Sequence, residues 1–194
     1  MLEPLIVRVK LVSFATKSTR WGAFAKTCLS SCPDSAHCRA MLTFRITEDD
    51  LTGPAVAALL QLHLDEMHRW SPPASVHAMP LDRLRAPDVT FYAAWHGAEL
   101  AACGALKALG PRHGELKSMR AAPAWRGRGA GRAMLDHLLR EARARGYSRV
   151  SLETGRPAEF DAARQLYLAN GFAECPPFAD YVADDFSICM TRTL

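Results

Sequence analysis

Read for the spacing of its apolar residues, the chain from Met41 onward divides into alternating and helical stretches. Met41 to Thr47 alternates and predicts a first strand. From Asp50 to Arg69, Val56, Leu59, Leu60, Leu64 and Met67 recur at helical spacing, with Pro54 tolerated in the first turn. Ser71-Pro72-Pro73-Ala74-Ser75 ends that helix, and a short second helix is expected after Pro80. Val89 to His96 predicts a strand, His96-Gly97-Ala98 a tight turn, and Leu100 to Leu109 the hairpin partner. Gly110-Pro111 turns the chain into a further strand, Gly114 to Arg120. The clearest helix begins near Ala130. Ala133, Met134, Leu135, Leu138, Leu139 and Ala142 form its apolar stripe, Asp136 with Arg140 and Glu141 with Arg145 are spaced as supporting ion pairs, and Gly146 ends it. Arg149 to Thr154 reads as a short buried strand, Glu159 to Asn170 as a helix, and Phe186 to Thr193 as the last strand.

Between a strand and the best-defined helix lies Arg126-Gly127-Arg128-Gly129-Ala130-Gly131. A strand that passes through glycines into a helix N-terminus leaves backbone N–H groups unpaired and converging, where the helix dipole also favours an anion. Gly129 and Gly131 keep side chains out of the way, and Arg126, Arg128 and Arg132 add positive charge. The letters exclude two familiar loops. A Walker A loop requires Lys then Ser or Thr after its last glycine, and Arg132-Ala133 stands there. The glycine spacing also departs from G-x-G-x-x-G. Strand, cradle, helix, strand and helix within a mostly antiparallel meander give an α/β fold whose ligand lies at the carboxyl end of a central strand.

The 194 residues, 49% hydrophobic, suffice for one domain with a full core, and no apolar run approaches the ~18 residues of a membrane span. The net charge of +4 sits entirely in residues 1–40, whereas the remainder holds eighteen residues of each sign. A nucleic-acid or membrane surface is therefore not expected of the main domain. The first forty residues also hold three of the five lysines and three of the six cysteines. This shift in composition divides the chain into an extension, 1–40, expected to be disordered or outside the native domain, and a domain at 41–194. Cys28, Cys32, Cys38 and His37 lack a C-x-x-C pair, so no metal is expected. Cys103, Cys175 and Cys189 lie in apolar surroundings and read as reduced residues of a cytoplasmic protein.

The chain resembles the GNAT superfamily of acyl-CoA-dependent N-acetyltransferases. Arg126-x-x-Gly129-x-Gly131 matches that superfamily's R/Q-x-x-G-x-G/A pyrophosphate loop, and Ala163-Arg164-Gln165-Leu166-Tyr167-Leu168-Ala169-Asn170-Gly171-Phe172 matches its A-x-x-L-Y-x-x-x-G-F stretch. The resemblance covers residues 41–194. It implies a mixed, mostly antiparallel sheet flanked by helices, with two central strands splayed apart. It further implies that acetyl-CoA is cosubstrate, its diphosphate held by main-chain N–H groups from Arg126 through Gly127, Arg128, Gly129, Ala130 and Gly131 to Arg132. The pantetheine arm would pair like an added strand near Met119 and Ala121, and an N–H near Met119 or Arg120 would hold the developing oxyanion. Asn170 is assigned to the cofactor side, and Arg128, Arg132 and Arg164 to the solvent-facing adenosine end.

The implied reaction is direct attack of an amine on the thioester in a ternary complex. An amine with a pKa of about 10 needs a base; Glu115, at the start of the fourth strand, is the first candidate, acting directly or through a water, and Glu153, at the end of the fifth, is the second. Glu115 has an alternative role as a partner of Lys117, and Glu153 as a cap on the following turn. Tyr167 matches the family position for the acid that protonates the leaving thiolate, and core packing is its structural alternative. The acceptor is expected to be a small amine or amino acid, held by His63, Ser71, Ser75, His77 and Tyr181. His63 lies on an otherwise apolar helix face, where a packed core residue is the simpler reading. Homodimers are common in the family. A non-catalytic acyl-CoA sensor is the competing function, since it would need the loop without the base and acid.

Overall fold

The computed structural model describes residues 42–73 and 79–194, and Ser75, His77 and the cysteine-rich extension lie outside them. Seven strands form one sheet in the order β1-β2-β3-β4-β5-β7-β6. These are β1 (Arg45–Glu48), β2 (Val89–His96), β3 (Glu99–Gly110), β4 (His113–Ala121), β5 (Arg149–Gly155), β6 (Ala173–Cys175) and β7 (Ser187–Thr193). All neighbours are antiparallel except β4 and β5. The helices are α1 (Pro54–Trp70), α2 (Leu81–Leu84), α3 (Ala130–Ala144) and α4 (Asp161–Leu168). This is the mixed α/β architecture expected, with β6 as an addition and with β1 starting at Arg45 rather than Met41.

The near-continuous apolar run of β3 follows from a sheet covered on both faces. Phe91, Ala93, Cys103 and Ala105 pack under α1 and α2, while Tyr92, Ala94, Ala102 and Leu106 face Met134, Leu135 and Leu138 of α3. The apolar stripe read for α3 is buried as expected. Its predicted ion pairs are not formed. Asp136 pairs with Arg132, one turn earlier, and Arg145 reaches across to Thr90 Oγ1 and Tyr92 Oη at 3.0 Å each. Glu141, the expected partner of Arg145, instead accepts from the same Tyr92 hydroxyl at 3.4 Å.

Two features of β4 position the site. Its parallel pairing with β5 stops after three positions, His113–Arg149, Gly114–Val150 and Glu115–Ser151, and the strands then part. Its pairing with β3 slips between Cys103–Arg120 and Ala105–Lys117, so Ser118 and Met119 on β4 stand opposite Gly104 alone on β3. This is a bulge, and Ser118 at its centre has φ +50°. Gly104 makes room for it, because a Cβ there would lie 2.8 Å from Met119 Sδ.

Candidate active site

The parting strands open two adjoining cavities. The larger, about 510 Å³, runs between β4 and α4 toward the start of α3 and is lined by Met119, Arg120, Ala121, Gly127, Gly129 and Gly131, among others. α3 begins with Gly129 as N-cap at φ +88°, without a side-chain cap and without an acidic residue in its first turn. Its first main-chain N–H groups therefore remain available to an anion. Gly131 is sterically undemanding within the protein, since its nearest neighbour beyond a virtual Cβ is Leu166 at 3.7 Å. What its missing side chain leaves open is the groove.

The smaller cavity, about 130 Å³, lies deeper in the splay. Its walls come from α1 (His63, Met67, Trp70), β4 (Lys117 to Arg120) and β5 (Glu153), with Phe160 and Phe186 opposite. Trp70, Met119, Arg120, Glu159, Ala163 and Tyr167 line both cavities and mark their junction. No described group hydrogen-bonds the Tyr167 hydroxyl, and its ring packs edge-on to Phe172. Burial, with the Glu153 charge second, raises the Tyr167 pKa, so the phenol is held in its protonated form.

The two carboxylates have different surroundings. Glu153 lines the smaller cavity, and burial, opposed by Lys117 and reinforced by Asp184 and Glu115, raises its pKa to about 7. Glu115 is fully buried outside both linings. It accepts the Tyr181 hydroxyl at 2.6 Å and stands 3.4 Å from Lys117 Nζ. Tyr181 also accepts from Lys117 at 2.5 Å and packs on Phe178. The segment holding Tyr181 thus closes over Glu115 rather than over either cavity.

Several other expected residues have structural work. Asn170 lines neither cavity: its Nδ2 donates to Leu166 O at 2.6 Å and its carbonyl accepts from Arg192, ending α4. Arg164 lines neither cavity. It donates to the carbonyls of Gly155 (2.7 Å) and Pro157 (3.0 Å) and pairs with Asp161, clamping the turn after β5. Arg128 lies over the Trp125 ring, 5.7 Å from its centroid. Ser71 lines the smaller cavity while its N–H closes α1 on Met67 O at 2.9 Å.

Sequence reading missed Glu66, which is 8% exposed. It accepts from Arg126 at 3.0 and 3.2 Å and pairs with Arg120, so one carboxylate joins α1, β4 and the glycine loop. The signal was available: Val56, Leu59, His63, Glu66 and Trp70 share one helical face, and an acid in a buried stripe calls for a buried cation. Trp70 was also missed, although it ends that stripe and stands beneath the Arg120 guanidinium.

Unpaired strand edges and an uncapped helix start lie along one groove, and the carboxylate of Glu153 lines the cavity that adjoins it, an arrangement able to receive an extended ligand with an anionic group at the helix start. The chain matches the Acetyltransferase (GNAT) family over residues 56–172 and belongs to that family. It is similar to the uncharacterized N-acetyltransferase YsnE of Bacillus subtilis (strain 168), with 51% identity over 146 residues covering 75% of this chain and 97% of that protein. The uncharacterized N-acetyltransferase YedL of Escherichia coli (strain K12) is 51% identical over 151 residues, covering 78% of this chain and 95% of its own. A GNAT family acetyltransferase from Elizabethkingia anophelis with acetyl-CoA bound shares the fold, with TM-score 0.56 and 17% identity over 78% of this chain and 98% of that one. The chain is accordingly an N-acetyltransferase that uses acetyl-CoA. No helix among the described residues is long and apolar enough to cross a membrane.

Proposed function

We propose that the enzyme acetylates the primary amine of a small molecule by direct attack in a ternary complex, with Glu153 as base and Tyr167 as acid. The observation that carries this reading is that both residues line the smaller cavity, with Tyr167 also at its junction with the groove. A carboxylate with a pKa of about 7 is half ionised at neutral pH and basic enough to relieve an ammonium of its proton as the amine enters. The amine nitrogen then forms a bond to the thioester carbon, and the carbon–sulfur bond breaks. Glu153 releases the first proton to solvent and takes the amine's second, Tyr167 hands a proton to the departing thiolate and is reprotonated from solvent, and the cycle releases one proton net. Main-chain N–H groups along the Ser118 bulge, at Met119 or Arg120, receive the charge that builds on the thioester oxygen.

The groove fits the donor on three counts: the open first turn of α3, the space at Gly131, and the β4 edge from Leu116 onward that β5 leaves unpaired. Arg126, released from Glu66, is placed to meet the diphosphate. Tyr167→Phe tests the assignment. Turnover should fall about 10–100-fold, a modest value for acid catalysis because a thiolate leaves readily, while the acetyl-CoA Kd stays unchanged. Unchanged turnover would remove Tyr167 from the mechanism.

A further inference from the structure

The walls of the smaller cavity contain two polar groups that none of the described residues satisfies. His63 Nδ1 and Arg120 Nε are both buried and both lack a hydrogen-bond partner. Buried polar atoms are nearly always paired, so two orphans in one cavity wall describe the missing ligand's chemistry. Arg120 offers a donor in the planar geometry that suits a carboxylate, and His63 can offer a second, depending on tautomer.

The charge balance points the same way. Two guanidiniums, Arg120 and Arg126, share the single carboxylate of Glu66, whereas Lys117 has Glu115 for itself. The Arg120 and Lys117 charges are felt at His63, whose pKa falls to about 4 through burial first and then through these two cations, while the carboxylates of Glu153 and Glu159 lie on other walls. Glu153 enters from β5, on the other strand of the splay from Arg120. The remaining wall is mixed: Met67, Trp70, Phe160 and Phe186 are apolar, and Ser71, Thr154 and Glu159 are polar.

We infer that Arg120 and His63 recognise a carboxylate on the acceptor, so that the substrate is an α-amino acid with its amine at Glu153. The inference rests on the acetyl-transfer reading above and narrows it. A water molecule satisfying the two orphans would serve the apo protein equally well, and a matched substrate series separates the two.

The experiment follows thiol release from acetyl-CoA by the full chain with L-methionine, L-methioninamide and 3-(methylthio)propylamine. The amino acid should show a kcat/KM at least tenfold above both carboxylate-free analogues. Arg120→Gln should bring the three values together through a raised KM for methionine. A second measurement needs no variant. With CoA present, N-acetylmethionine should bind at least tenfold more tightly than its amide, and the His63 imidazole, followed by NMR, should titrate at higher pH once the carboxylate neutralises the field. Equal turnover across the series, equal binding of the two products, or an unmoved His63 would overturn this inference alone. Absence of acetyl-CoA binding, or of turnover with every amine, would overturn the acetyl-transfer reading and this inference together.

Discussion

Substituting Glu153→Gln should produce an enzyme that is nearly inactive and, at alkaline pH, more stable than the parent. The sign follows from linkage. Glu153 has a folded-state pKa of about 7 against an ordinary 4.5, so the folded protein binds a proton there that the unfolded chain releases. Its contribution is fully present below pH 4.5 and is lost as pH rises to about 7, because ionising a carboxylate in this cavity costs solvation. At about 1.4 kcal/mol per pH unit, the interval from 4.5 to about 7 amounts to about 3 kcal/mol. The neutral amide carries no such penalty. Urea unfolding of both proteins at pH 4 and pH 8.5 should therefore show the variant gaining about 3 kcal/mol relative to the parent between the two conditions. In melting temperature that is about 6–12 °C for a domain of this size. The parent's kcat/KM should fall below pH 7, where the base is protonated, and this limb should vanish in the residual activity of the variant. A parent-to-variant stability difference that does not change with pH, or an acid limb that survives in the variant, would refute the argument.

Other substitutions separate conformation from recognition. Gly129→Ala places a side chain at φ +88° and should cost about 1–2 kcal/mol in thermal unfolding as well as weakening acetyl-CoA binding. Gly131→Val meets no strain and only an ordinary contact with Leu166, so calorimetry should show weakened acetyl-CoA binding with the melting temperature changed far less. Glu66→Gln leaves Arg120 and Arg126 without their shared carboxylate and should destabilise the apo enzyme by about 1–3 kcal/mol while tightening acetyl-CoA binding, because Arg126 is released toward the diphosphate. Arg164→Ala should lower stability by about 2 kcal/mol through the freed carbonyls after β5, with the acetyl-CoA Kd unchanged.

The parts of this molecule legible in the sequence are those set by local periodicity. The bounds of β2 and the stripe of α3 emerged because alternation and helical spacing repeat over several turns or pleats. β6 was invisible because three residues, two of them exposed, carry no alternation, and only pairing with β7 defines it. The glycine loop was legible because helix-start chemistry is local. Glu66 with Arg126 was not, since the partners lie 60 residues apart. The order of the two base candidates was equally out of reach. Glu115 lies at the start of one readable strand and Glu153 near the end of the next, but which one faces the cavity depends on where β4 and β5 part, and that is set by the short parallel seam. Tyr181 and Asn170 illustrate the same limit: position near a site in sequence gives no direction to a side chain.

The splay between β4 and β5 divides the demands on the sequence unevenly. One half of the site works through peptide groups, which every substitution that keeps the backbone leaves in place. The other half works through side chains of α1 and the strand ends, which point changes can replace one at a time. On the proposed assignment of the two cavities, a lineage carrying this fold can therefore alter the acceptor it modifies through His63 or Met67, which line the smaller cavity alone, without renegotiating its hold on the donor.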